Sequence, residues 1–331
     1  MTKTSKKKGW FTLPVGLVLT VLILFGAYSG YWVWMSGEVL KGAHDWVDDQ
    51  RARGNTVEYS DLSISGYPYR FVLEAKDPVI EDLELDSQWW GETLQLIAMS
   101  WNLNHIIVRT PGENLIELPT GDRVTLFPSD KSAASLIFED GHLRRFGLEF
   151  PRLDGTLQTG EAFEVSDLTL SLTPMPETPE NLRFSLMSGE GTLPRLIPGA
   201  EFLGQALNEF VLWVEVENFY PLVENDIDEI DWKIDENKVE VRRAQIDMGP
   251  LDLSTRASFF LDRDNNPDGT LGVFLERGDD LKDALREAGL LTGQTEQIIN
   301  TLALISERGG FVTVKLEDRK ATYLGQTLFE Y

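Results

Sequence analysis

The spacing of apolar residues changes character along the chain. Lys8 is the last charge before Glu38, and the stretch between them is almost wholly apolar. Pro14 to Trp34 gives about 20 uncharged residues, the length that crosses a hydrocarbon core as a helix. Aromatics mark its two ends: Trp10 and Phe11 on one side, Tyr28, Tyr31, Trp32 and Trp34 on the other. Helical periodicity then continues through Val39, Leu40, Ala43, Trp46 and Val47, until Gly54-Asn55 supplies a stop.

From Thr56 the period becomes two. VEYSDLSIS, YRFVLEA, VIEDLEL, ETLQLIAMSW, HIIVRT, NLIEL, RVTLF, SAASLIF and RRFGLEF read as short strands. Turn residues separate them, among them Pro111-Gly112, Pro119-Thr120-Gly121 and Asp140-Gly141. Strands this short and regular predict antiparallel sheet with one buried and one wet face. Glu58–Ser65 echoes Glu164–Ser171, and Gly249–Ser254 is a looser third copy. Chance among strands of similar composition explains the echo as well as a repeat does.

Thr173–Pro179, with three prolines, reads as a stiff connector. Beyond it, Phe202, Leu203, Ala206, Leu207, Phe210 and Val211 predict a helix, and DWKI and VEVRRAQIDM predict strands. ASFFLD and TLGVFLE predict a hairpin. Helices opening at Asp279-Asp280 and at Thr292 follow, then FVTVKLE, ATYLG and QTLFEY as strands. The predicted layout has five parts. A basic cytoplasmic tail (1–9) leads into a membrane anchor (10–35) and a juxtamembrane helix (36–54). An antiparallel β region (55–173) and a β region with inserted helices (174–331) complete it. The fold class is mainly β (α+β), with large sheets that can curve into a groove.

Charge narrows the function classes. The chain carries 54 acidic and 30 basic residues, a net charge of −24. Without Lys3, Lys6, Lys7 and Lys8 of the tail, the balance falls to −28. A nucleic-acid partner needs a basic footprint, so that class is excluded. Lysines before the apolar run and Glu38 after it place the N-terminus in the cytoplasm and the bulk of the chain in the periplasm. A cleaved signal peptide, cut near Ala27-Tyr28-Ser29, delivers the bulk to the same compartment. The unbroken run into the aromatic cluster favours the anchor. The absence of cysteine removes disulfides and thiolate chemistry.

No catalytic motif emerges. His44, His105 and His142 share no metal-ligand spacing. There is neither a G-x-S-x-G elbow nor a phosphate-binding Walker loop, and Gly189-Glu190-Gly191 meets Pro194 where a dinucleotide fingerprint needs its third glycine. Asp262, Asp264 and Asp268 in DRDNNPDG resemble a calcium loop, but Leu275 stands where the closing Glu belongs, and a hairpin turn explains these residues better. Asp226, Asp228 and Asp231 lie in an acidic stretch better explained as a charged strand edge. No catalytic residue, cofactor or metal is assigned.

Ser65-Gly66-Tyr67-Pro68-Tyr69-Arg70-Phe71, some 30 residues after the anchor, resembles the signature of the bacterial domain-of-unknown-function family 2125. Gly249–Leu253, Asp268–Leu271 and Leu324-Gly325 agree with it. The resemblance implies a membrane-attached envelope protein and brings no catalytic residues. From the residues themselves, Gly66, Tyr67, Pro68, Tyr69 and Arg70 form a structural corner. The expected function is non-enzymatic: a curved sheet holding a lipid or other apolar chain, or docking an envelope protein. The alternatives are a periplasmic hydrolase using carboxylates or a cation, and a structural partner-binding subunit.

Overall fold

In the computed structural model, residues 12–195, 199–224 and 227–331 are described. One unbroken helix, α1 (Thr12–Ala52), joins the apolar segment to the juxtamembrane segment. At 41 residues it is about 60 Å long.

The rest is mainly antiparallel sheet, as the period of two predicts. The first strands are β1 (Thr56–Glu58), β2 (Asp61–Ser65), β3 (Arg70–Lys76), β4 (Val79–Asp82) and β5 (Ser87–Gly91). Next come β6 (Thr93–Met99), β7 (Asn102–Arg109), β8 (Asn114–Glu117), β9 (Arg123–Pro128) and β10 (Ala133–Glu139). They make two arms. One runs β2–β3–β6–β7–β10, the other β1–β4–β5–β8–β9. Both join β11 (His142–Leu157), whose first half pairs with β10 and whose second half pairs with β9. The sheet is therefore forked.

Beyond the fork it continues through β12 (Ala162–Pro174), β13 (Leu182–Ser188) and the short β14 (Gly191–Thr192) to β15 (Ala206–Val216). Then follow β16 (Lys238–Met248), β17 (Leu251–Leu261), β18 (Pro267–Leu275), β19 (Val312–Glu317), β20 (Lys320–Tyr323) and β21 (Gln326–Glu330). The proline-rich Thr173–Pro179 lies in the β12–β13 hairpin, where Pro174 pairs with Leu182.

From β13 to β19 the register gives the two faces opposite chemistry, whereas in the first arm Val72, Ile97 and Ile107 make the second face apolar too. One file of directly paired residues runs Phe71, Ala98, Ile106, Leu136, Phe146, Leu172. It continues as Phe184, Val214, Val241, Ala257, Leu271, Val314. A parallel file begins Leu73, Leu96, Val108, Ala134, Leu148, Leu170 and goes on Leu186, Leu212, Ala244, Thr255, Val273, Val312. On the other face Arg183, Glu215, Glu240, Ser258, Thr270 and Lys315 are partners. Successive side chains on a strand point to opposite faces, so paired strands keep each face uniform.

Among the described residues, four further α-helices decorate the sheet: α2 (Phe219–Val223), α3 (Glu229–Ile234), α4 (Gly278–Glu287) and α5 (Gly293–Ser306). Thr292 caps α5 by accepting from Thr295 N. Leu302 and Ile305 of α5 pack on the cluster of Val312, Val314, Leu316 and Ala321.

Three local expectations are corrected. Residues 206–216 form β15, not a helix; only Glu201–Leu203 is helical, as one 3-10 turn. Gly204 breaks the chain direction at φ 73°, and FVLWVEV is dense in β-branched and aromatic residues that pair with β13 and β16 on either side. DWKI is helical, within α3: Asp228 accepts from Ile230 N at 2.8 Å and starts the turn, and Trp232 anchors it by donating to Glu217 O at 2.8 Å. VIEDLEL ends as a strand at Asp82, whose carboxylate accepts from Glu84 N and Leu85 N and turns the chain into β5.

Candidate functional site

The site is built where α1 meets both arms. The lower contact joins α1 to two neighbouring turns of one arm. Tyr28 Oη donates to Pro68 O at 2.5 Å and lies 2.7 Å from Ser100 Oγ. Tyr31 Oη donates to Ser100 O at 2.9 Å, and Trp32 Nε1 to Arg70 O at 3.2 Å. Ser29 Oγ is 2.7 Å from Tyr67 Oη. Trp32 stacks on Phe71 at 5.3 Å and meets Tyr67 edge-on at 5.4 Å. Ser100 is 2 % exposed, so its satisfied hydroxyl is part of a closed polar lock.

The Gly66–Arg70 corner is closed by Arg70 N donating to Gly66 O at 3.1 Å, with a cis Tyr67–Pro68 bond inside it. Gly66 has φ 103°, and a Cβ there would stand 2.7 Å from Arg70 O. Only glycine fits that approach. Arg70 contributes its backbone to the lock, and Tyr69 points outward, 69 % exposed.

The upper contact joins α1 to the other arm. Arg51 donates through Nε and Nη2 to Val57 O of β1 at 3.0 and 2.6 Å. His44 Nδ1 lies 3.2 Å from Tyr59 Oη, so this histidine serves packing. His105 Nε2 pairs with Ser135 Oγ at 2.9 Å across β7 and β10, and His142 opens β11, exposed.

Between these two contacts lies a hollow of about 560 Å³. Phe71, Leu73 and Ala75 of β3, with Leu94, Leu96 and Ala98 of β6, form its floor. Ile106 and Val108 of β7 extend it, and Val57 and Ile80 stand on the opposite arm. Val39, Ala43, Trp46 and Val47 of α1 make the roof; their i, i+4, i+7, i+8 spacing is one helix face. Glu58, Tyr59 and the Trp46 indole N–H are the polar side-chain groups of its lining residues. Its volume lies in the range of small-ligand sites, and its wall suits an apolar chain. The sequence reading found the α1 face and the aromatic corner but not the hollow, whose strand wall runs from Val57 to Val108.

The acidic candidates have other work. Asp262 accepts from Asp264 N, Asn266 N and Asn266 Nδ2, closing the β17–β18 turn. The Asn266 side chain, then backbone N–H groups, hold its carboxyl below the usual range. Asp268 belongs to β18, opposite Phe260. Asp228 caps α3 and Asp231 lies within it, while Asp226 falls outside the described residues. Among the described residues, no three His, Asp or Glu side chains are grouped to hold a metal ion.

α1 is long and apolar enough to cross a membrane, and its apolar half is not buried against the sheet. It is joined at Trp32 to a sheet carrying the Gly66–Arg70 corner. The family described as an uncharacterised protein conserved in bacteria, DUF2125, matches residues 32–325. The chain belongs to the DUF2125 family. The matched DUF2125 region begins at Trp32, within the lower contact; it leaves out Tyr28, Ser29 and Tyr31 but takes in the upper contact and the whole hollow, so roof and floor are parts of one family unit. No curated protein and no solved structure matches the chain.

Proposed function

We propose that this DUF2125 protein is a non-enzymatic envelope protein that takes an acyl chain of a membrane lipid into the hollow beneath α1. The observation that carries the reading is the hollow itself: its wall is apolar but for Glu58, Tyr59 and the Trp46 indole N–H, and begins where the apolar half of α1 ends. Lysines before the span and Glu38 after it favour a periplasmic position for the sheet. An acyl chain drawn into water loses about 0.8 kcal/mol per CH₂. A chain that passes from bilayer to hollow keeps most of that, so uptake needs no tight polar anchor.

The test uses full-length protein in vesicles containing a phospholipid with a photoreactive acyl chain. Adducts are expected on β3, β6 and β7. Ala98→Trp, which fills the hollow, is expected to reduce them several-fold while leaving adducts on the span unchanged. Adducts confined to residues 15–34 in the unaltered protein would sink the reading.

A further inference from the structure

The two apolar files do not stop at the hollow. Each crosses twelve strands, and Thr255 is the one polar residue in either. A sheet with one wet face ordinarily packs the other against a second layer. Here the cover is at the two ends. α1 lies over β1–β3, where Phe71 is 1 % exposed, and α5 over β18 and β19, where Val312 and Val314 are 4 % exposed. Between them Leu136, Phe146, Leu172, Phe184 and Val214 are only partly buried.

A second hollow, about 340 Å³, opens at Phe146 and Leu172, beside Phe219, Tyr220 and Val223 of α2, with the Arg144–Glu224 ion pair, Arg145 and His142 also on its wall. Leu136 pairs with Ile106, which lines the first hollow, and with Phe146, which lines the second. The two hollows are therefore stations on one strip. Twelve strands at about 4.8 Å each give the strip a length of roughly 50 Å.

Resting on the reading that the first hollow takes an acyl chain, we propose that the whole strip is a track for lipid acyl chains, entered beneath α1 and ending under α5. The occupant follows from the entrance: the strip starts beside a membrane-crossing helix, and a bilayer is the apolar reservoir in contact with that end. The strip's form agrees. Apolar side chains repeat at every strand step but for Thr255, and the charged groups at the second hollow stand beside the files and not in them, which suits a flexible hydrocarbon chain with a polar headgroup. Headgroups remain in water along the open side. The activity is thus conduction of lipid across the sheet, in either direction, driven by whatever supplies or removes lipid at the far end.

The experiment places a photoreactive phenylalanine analogue at single positions of the full-length protein in phospholipid vesicles: Leu96 in the first hollow, Leu148 and Leu212 along the strip, Thr255 beyond them, and Ser171 on the polar face. Lipid adducts are expected at 96, 148, 212 and 255 and not at 171. Adding Leu212→Asp is expected to cut adducts at 255 by about tenfold or more and to spare those at 96. Adducts at 96 alone overturn the track while leaving the occupied hollow intact; adducts nowhere overturn both. Adducts at 255 that survive Leu212→Asp overturn conduction, because lipid then arrives from solution. Crosslinks from 212 to a second copy or another protein overturn it in favour of an interface. Should Leu212→Asp fail to fold, Leu212→Asn takes its place with the same expected and overturning results.

Discussion

At the scale of single residues, the excess of acid is managed pair by pair. Asp252 and Asp247 are directly opposed across β16 and β17, with Arg277 bonded to Asp247 and its Nε 3.9 Å from Asp252. Burial, then the Asp247 and Glu276 charges, push the Asp252 carboxyl above its ordinary value despite Arg277. A carboxyl raised by folding binds its proton more tightly in the native state, so the native state gains when it is protonated. Stability therefore falls as pH rises from the ordinary aspartate value through the raised one, and the cost is fully present at neutral pH. Asp252→Asn is expected to be neutral or stabilising at pH 7, because Arg277 keeps Asp247, and to lose that advantage below about pH 4. Urea unfolding at the two pH values measures it; a large loss at pH 7 would contradict the account.

At the scale of elements, two turns of one arm meet the span. They expose Tyr67, Tyr69, Met99 and Trp101, at 44, 69, 41 and 70 %. Ser29, bonded to Tyr67, lies about 25 Å along the helix from Thr12. That is within the roughly 30 Å of a hydrocarbon core, at the level of the aromatic belt. The turn tips are thus expected to sit in the bilayer interface. The chain has no cysteine, so nitroxide labels on Tyr69→Cys, Trp101→Cys and Leu290→Cys are unambiguous. Labels at 69 and 101 should collide with oxygen more than with a water-soluble nickel chelate, and the label at 290 the reverse. Equal behaviour at all three would place the tips in water.

This scale also shows what the sequence made legible. The aromatic belt, the α1 face, the Gly66–Arg70 corner, most strands and both late helices were readable, because each is a local pattern of period or capping. The segment 206–216 was not, because Phe202, Leu203, Ala206, Leu207, Phe210 and Val211 satisfy a helical spacing that cross-strand pairing with β13 and β16 overrides. Six-residue α3 was too short for its period to differ from a strand's. The hollow and the two files depend on register, which turns and bulges far apart in sequence set together; one residue of slip would put Leu136 and Phe146 on the wet face.

At the scale of the molecule, the proposed function has charge and apolar face act on the same ligand. The charge of −28 without the tail lysines leaves acyl chains indifferent but is expected to repel anionic headgroups along the open side. Neutral or zwitterionic phospholipids are expected to be taken up in preference to anionic ones. The preference should shrink as salt rises, since the screening length falls from about 10 Å at 0.1 M to about 3 Å at 1 M. Lipid competition in mixed vesicles, read by mass spectrometry of the bound fraction, measures both. A preference that salt leaves untouched would assign the selection to shape instead.

The unbroken course of α1 has a mechanical consequence. Its lower bonds go to Pro68, Arg70 and Ser100 of one arm, its upper bonds to Val57 of the other. The helix is thereby a strut nailed across the fork, with its free half long and apolar enough to cross a bilayer. Some 20 residues separate the lower nails from the end of the helix, an arm of about 30 Å. A 10° change of tilt swings its tip by about 5 Å relative to the lower nails. With the apolar half in a bilayer, as proposed, bilayer thickness is expected, by setting that tilt, to set the gape between the two arms.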